Sequence, residues 1–415
     1  MARNRHHSPS ADRPARSGAG RGYEPRAARA ARYSHHTGNA PKHHPAAGGI
    51  RPRARACLPS ALRPPKGCRM HLMSRPHRSR PRIAIVDPCC GAPYDPLSLT
   101  RGGLGGTEAT VLRVCATLTR DFEVRHYQAT RREPLATSAG LMLPLSAGPA
   151  GADVIIVLNT WKVAVKLRKL HPEAAILLWL HIRPGRHNRK MGPALHAAGV
   201  RIICVSRSHM DWLRAFLGDG ALPRTGFIYN PIADTLAPDA TRRDPNRLLF
   251  ASSPHKGLAE VFGRFDALRA VLPDLTLAVA DPGYLRWNTG PVPKNVRFLG
   301  TLSHGALMRQ MRRALCLFMP QTSFAETFGL VMAEANAVGT PVLASAALGA
   351  NEEVLTPGQY LSTLDTAHLA QVIQRWQTTP PDVQANPQFR LRNVAAQWSQ
   401  LLHETALCPQ RAVTA

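Results

Sequence analysis

From residue 82 onward the chain alternates short apolar runs with helical stretches, and it does so twice, a pattern that restricts the fold to parallel sheets flanked by helices. The first series opens with the strand "RIAIVDPCC" and a glycine loop that leads into "TEATVLRVCATLTR". There Val111, Cys115 and Leu118 recur at helical spacing, so a helix starts at Thr107. The strands "FEVRHY", "DVIIVLN", "AILLWLHI" and "RIICVS" follow, then the helix "SHMDWLRAFL" and a closing "GFIYNPI". A polar stretch, "ADTLAPDATRRDPN", interrupts the pattern. Beyond it the alternation restarts with "RLLFASS", the helix "GLAEVFGRFDALRAVL", "LTLAVA", "VRFLG", the helix "HGALMRQMRRAL" and "CLFMPQ". The expected architecture is α/β, with two Rossmann-like doubly wound domains, residues 81–229 and 230–385, facing across a cleft.

The segment "SFAETFGLVMAEANAVGTPVLAS" carries the most chemistry. It reads as loop, helix, Gly-Thr turn and strand, with Glu326 at the helix mouth and Glu334 eight residues on. A rise of about 1.5 Å per residue separates them by roughly 12 Å along the axis, near the span from sugar ring to ribose in a nucleotide-diphosphate sugar. The free amides of Phe328, Gly329 and Leu330 open the helix, where unpaired N–H groups and the dipole favour phosphate. Taken alone, two glutamates on a helix that also carries Val331, Ala335 and Val338 would be expected to face solvent.

The whole string, E-x-F-G-L-x-x-x-E-A-x-A-x-G-x-P-V, resembles the signature of the family 4 (group 1) glycosyltransferases of the GT-B fold. The resemblance implies that Glu326 holds hydroxyls of the transferred sugar and stabilises its developing charge, while Glu334 accepts hydrogen bonds from the ribose. In "FASSPHKGL", Lys256 matches the lysine of a cationic pair that clamps the donor pyrophosphate. The usual arginine has no counterpart, and Ser252 or Ser253 stands near its place. A serine only hydrogen-bonds, so less charge offsets the leaving diphosphate, unless His255 or an arginine of the first half supplies a second cation. In "RGGLGGTE", Gly103, Gly105 and Gly106 let backbone amides surround an anion. No Gly-Lys-Ser/Thr follows, so this is not a P-loop. His181, at the end of "ILLWLHI", lies at a carboxyl-terminal strand edge, where the resemblance assigns it to the reacting sugar. Ser206 in "VSRSHMDWL" and Asn230 in "IYNPI" are expected to serve structure. The last helix, within residues 386–415, resembles the one that crosses back onto the first domain in this fold.

Charge is unevenly placed. Residues 1–80 hold 18 Arg and Lys against Asp12 and Glu24, with little apolar periodicity, and read as a disordered basic arm. Three explanations compete for it: a tail for nucleic acid or anionic lipid, a targeting peptide, or an over-extended start with translation beginning at Met70 or Met73, which is favoured. Residues 81–229 carry 19 Lys and Arg against 10 acids, and "WKVAVKLRKLH" puts Lys162, Lys166 and Lys169 on one face beside the cations of "RPGRHNRK". That surface suggests peripheral contact with an anionic membrane. The eight cysteines show no C-x-x-C, Cys115, Cys204 and Cys316 fall in apolar runs, and a reducing cytoplasm suits them. No apolar run approaches the roughly 20 residues that span a bilayer.

The resemblance, which these readings accommodate, implies a retaining, hexosyltransferase-like enzyme that moves a sugar from a nucleotide-diphosphate sugar to a saccharide or lipid-linked acceptor. No cofactor is expected. No D-x-D occurs, so Lys256, helix amides and the glycine loop would meet the leaving charge without a metal. Two rivals stay open: a nucleic-acid-binding protein with an inactive transferase body, the less expected one, and a GT-B-fold sugar-nucleotide epimerase.

Overall fold

In a computed structural model, residues 80–283 and 287–407 are described, and all belong to one unit spanning Ser74–Ala415. The expectations for the basic arm up to residue 79 lie outside the described residues. Two sheets organise the chain. The first takes β1 (Arg82–Asp87), β2 (Glu123–Gln128), β3 (Leu135–Thr137), β4 (Gly140–Pro144), β5 (Val154–Leu158), β6 (Ala175–Leu180), β7 (Arg201–Cys204) and β8 (Thr225–Phe227) in the order β3-β4-β2-β1-β5-β6-β7-β8. The second takes β9 (Asp244–Ala251), β10 (Thr276–Ala280), β11 (Val296–Gly300), β12 (Ala314–Met319), β13 (Val342–Ser345) and β14 (Tyr360–Leu361) in the order β11-β10-β9-β12-β13-β14. Every pairing is parallel except that of β3 with β4.

Helices cover both sheets: α1 (Ser98–Arg101), α2 (Gly106–Leu118), α3 (Trp161–Leu170), α4 (Met191–Ala197) and α5 (Arg207–Leu217) in the first half. The second half has α6 (Leu258–Val271), α7 (His304–Arg313), α8 (Leu330–Ala337), α9 (Asn351–Val354) and α10 (Thr366–Thr378). With helices on both faces, central strands are buried throughout, which is why β5, β6 and β12 are unbroken apolar runs rather than alternating ones. Helix starts follow local chemistry. Ser206, Ser303 and Asp365 each accept from an amide of the first turn of α5, α7 and α10.

In each sheet the strand order reverses at a central strand, at β1 between β2 and β5 and at β9 between β10 and β12. Loops leaving the carboxyl ends of strands on either side of such a reversal diverge and leave a crevice. The glycine loop after β1, the "SSPHKG" loop after β9, His181 after β6 and the Glu326 loop after β12 all lie at such ends. The final helix, α11 (Leu391–Leu407), packs on α2 and β5 of the first half and sets Trp398 against Trp179 at 4.4 Å between ring centres, the rings tilted by 51°. Among the described residues no helix is long and apolar enough to cross a membrane.

Candidate functional site

The crevice between the halves is a cavity of about 1270 Å³. Every residue singled out for donor or sugar binding lines it: Glu326, Glu334, His181, Lys256, Ser252, Ser253, Phe328, Gly329, Leu330, Gly103, Gly105 and Gly106. The two glutamates do not face bulk solvent, as glutamates on a lone helix would. Glu326 is 8 % exposed and Glu334 4 %, a burial that carboxylates tolerate only when paired.

Gly329 caps α8 at φ 86°, ψ 55°, a left-handed backbone conformation that L side chains rarely adopt, so the turn that opens the helix calls for glycine. No described residue accepts from the amides of Phe328, Gly329 or Leu330, which line the cavity as unpaired donors. The Phe328 ring instead anchors the loop, packing 5.0 Å from Phe389 and 5.9 Å from Tyr229. The Glu326 carboxylate accepts from Lys256 Nζ at 2.9 and 3.2 Å, and the ammonium also sits 4.9 Å over the Phe324 ring.

His255 is not the second cation that would replace the missing clamp arginine. Burial and then the neighbouring Lys256 charge lower its pKa from 6.5, against the pull of Glu326, so the imidazole is neutral near pH 7. Its Nδ1 pairs with Ser253 Oγ at 2.9 Å. An arginine of the first half does enter the cavity, but at the other glutamate. Arg113 of α2 donates to Glu334 Oε1 at 3.1 Å. His304 Nε2 lies 2.8 Å from the same oxygen and carries the proton, because a carboxylate only accepts. Burial works against the Glu334 anion, yet the His304 hydrogen bond and the Arg113 charge outweigh it and hold its pKa below 4.5. A second cavity of about 440 Å³, lined by Leu99, Arg113, Ser303 and His304 among others, touches this same cluster.

The glycine loop runs from the first half against the second. Gly102 and Gly103 have φ of 94° and 74°, and Cβ atoms there would fall 2.6 Å from Leu302 O and 3.1 Å from Pro282 O. Glu108, in the first turn of α2, also lines the cavity. Burial raises its pKa and the Asp87 charge adds to this, against a hydrogen bond from its own amide.

His181 is 7 % exposed, and its Nε2 is buried with no partner among the described residues although the ring borders the cavity. Burial, reinforced by His209, depresses its pKa to about 3, so the imidazole is neutral. Its amide donates to Asn159 Oδ1 at 2.7 Å, and Asn159 itself adopts φ 56°, an αL conformation that asparagine tolerates better than most residues. Asn159, Arg113, His304 and Glu108 were not evident from the sequence, since only the αL tolerance of asparagine sets any of them apart from ordinary polar residues.

Twin parallel sheets meeting at such a crevice define a GT-B glycosyltransferase fold. Residues 242–385 match the family described as glycosyl transferases group 1, which bears out the family assigned from the glutamate segment: the second half of this chain is a group 1 glycosyltransferase domain. Among curated proteins, the chain is 30 % identical over 198 residues to a phosphatidyl-myo-inositol mannosyltransferase of Mycobacterium tuberculosis, covering 46 % of this chain and 49 % of the relative. It is 31 % identical over 186 residues to a glycogen synthase of the same organism, covering 42 % and 44 %. The chain thus spans about half the length of the curated relatives it matches. Among solved structures it resembles the sucrose-phosphate synthase of Thermosynechococcus elongatus, with a TM-score of 0.62 and 18 % identity over 78 % of this chain and 99 % of that one, a likeness of fold.

Proposed function

We propose that this chain is a retaining glycosyltransferase that moves a hexosyl group from a nucleotide-diphosphate sugar to a saccharide or lipid-linked acceptor, without a metal. One observation carries the reading: two buried carboxylates, Glu326 and Glu334, border one cavity on either side of a helix mouth whose amides are unpaired. In this reading the diphosphate sits on the amides of Phe328 to Leu330 and beside Lys256, Ser252, Ser253 and the glycine loop, where donors fixed in advance offset the leaving charge. Glu334 takes the ribose hydroxyls through Oε2, since Oε1 already accepts from Arg113 and His304. Glu326 and the neutral His181 hold hydroxyls of the sugar. The bond from the anomeric carbon to the phosphate oxygen breaks, the acceptor oxygen bonds that carbon on the same face, and the acceptor proton passes to the departing phosphate.

The test is a screen of UDP, GDP, ADP and their sugars by thermal shift, followed by donor hydrolysis and transfer. Stabilisation by one diphosphate that disappears in Glu334→Ala is expected. Absence of any such shift would sink the reading, and conversion of the donor without an acceptor would favour the epimerase.

The basic face supports a membrane partner for the acceptor. Lys162, Lys166 and Lys169 of α3 are exposed, as are Arg186, Arg189 and Lys190, and the neighbouring Ile182 is 50 % exposed while also lining the cavity. Cations around an exposed apolar residue suit an anionic lipid surface from which an acceptor would enter.

A further inference from the structure

Glu326 and His181 belong to different halves, and a single residue ties their backbones together. Thr327, the neighbour of Glu326, donates from Oγ1 to the carbonyl of His181 at 2.7 Å. Its own carbonyl accepts from Ser206 Oγ at 2.6 Å, and that hydroxyl in turn accepts from the His209 amide at the start of α5. The Thr327 hydroxyl and carbonyl therefore both point at the first half. On the other side, the Glu326 carbonyl accepts from the Ala350 amide at 3.0 Å. A few residues further on, Glu353 accepts from the amides of Arg207 and Ser208 at 2.9 and 2.7 Å and from Tyr229 OH at 2.8 Å. The segment carrying Glu326 is thus held between α9 of its own half and the carboxyl ends of β6 and β7 of the other.

We infer that Thr327 is a positioning residue, whose hydroxyl sets the distance between Glu326 and His181 so that both reach one sugar only when the halves are closed on each other. The geometry favours this over simple adhesion between domains. The bond ends on the main chain of His181, a residue that lines the cavity, and starts one residue from the Glu326 carboxylate. A displacement at Thr327 is therefore passed to both groups at once. The diphosphate and the ribose of the donor are held by other groups, the amides of Phe328 to Leu330, Lys256 and Glu334, so most of the donor's binding contacts do not run through the Thr327 hydroxyl. The expected signature is a loss in turnover without a loss in donor binding.

The kinetic arm of the test rests on the transferase reading above. Full-length protein and the variants Thr327→Val and Thr327→Ser are compared with the donor found active in the screen. Thr327→Val is expected to lower kcat by about 100-fold with donor KM within about threefold, and Thr327→Ser, which keeps the hydroxyl, to recover most of the rate. Wild-type kcat in Thr327→Val, or a serine variant as impaired as the valine one, would overturn the inference. A second arm needs no turnover. Amide hydrogen exchange over residues 324–329 is expected to quicken in Thr327→Val and to return to the wild-type rate in Thr327→Ser. If the wild type transfers no sugar at all, the transferase reading falls, and unchanged exchange in Thr327→Val is then the result that removes the positioning role as well.

Discussion

Arg113 and Glu334 form an ion pair across the two halves of the chain, 3.1 Å from Nη1 to Oε1, with side chains only 10 % and 6 % exposed. The helix that follows the glycine loop is thereby tied to the glutamate assigned to the ribose. Removing Arg113 leaves the buried Glu334 carboxylate with His304 alone, so Arg113→Ala is expected to lower the unfolding free energy by up to about 3 kcal/mol. The double variant Arg113→Ala/Glu334→Ala should lose clearly less than the sum of the two single losses, as read by denaturant titration. Additive losses would show that the pair contributes nothing in solution.

Acid should weaken the fold through Glu334. Its folded-state pKa lies below 4.5, so its pairing contributes stability that is full above that value and disappears as the pH falls through the folded value. The thermal midpoint is expected to fall as the pH is lowered below about 4.5, with a shallower decline in Glu334→Gln. Equal slopes for wild type and variant would contradict this.

His181 behaves differently. Its ring is neutral in the folded chain down to about pH 3, whereas an unfolded histidine takes a proton below 6.5, so stability is lost as the pH falls from 6.5 towards 3. Between about pH 5 and 8 the ring should show no titration by NMR, and no limb of the pH–rate profile should belong to it. His181→Ala is expected to reduce kcat by about 100-fold, the scale of losing one well-placed polar contact to the reacting group.

Lys256 is the group most exposed to challenge, because no arginine accompanies it at the place where one is usual. Lys256→Ala is expected to cost about 100- to 1000-fold in kcat, with partial recovery in Lys256→Arg, which keeps the charge but not the ammonium geometry. Assays with and without EDTA should give the same rate. A requirement for divalent cation would remove the claim that protein groups alone meet the leaving charge.

On the basic face, Lys162→Glu/Lys166→Glu/Lys169→Glu should abolish co-sedimentation with vesicles containing anionic phosphatidylserine, at a cost of about 1 kcal/mol of binding per residue before reversal is counted. Transfer to a short water-soluble acceptor should be unaffected. Sedimentation of the wild type that persists at high salt would argue against an electrostatic attachment.

Much of this was legible in the residues. Glu326, Gly329 and Glu334 could be read together because loop, helix and strand signals follow one another within one segment, so their relative placement is local. Lys256 was readable through its place after β9. Arg113 and His304 were not, because their meaning comes from partners 221 and 30 residues away, and an arginine on an amphipathic helix looks the same whether it meets water or Glu334. The hairpin of β3 and β4 also went unread: it lies at the sheet edge, and its strands are mostly exposed or half-buried and lack the apolar runs that mark the central ones. His255 does not supply the second charge for a reason of environment, since burial first and the neighbouring Lys256 charge second keep it neutral.

Trp398, from the far end of the described chain, fills a place beside Trp179 in the first sheet, and α11 rests on α2. Severing the polypeptide near residue 230 would therefore not yield two self-sufficient pieces. The amino-terminal fragment would lack the helix that shields its buried Trp179 and would be left with an adhesive apolar scar. Any exchange of halves between relatives would have to carry α11 along with the body it covers, rather than with the sequence that precedes it.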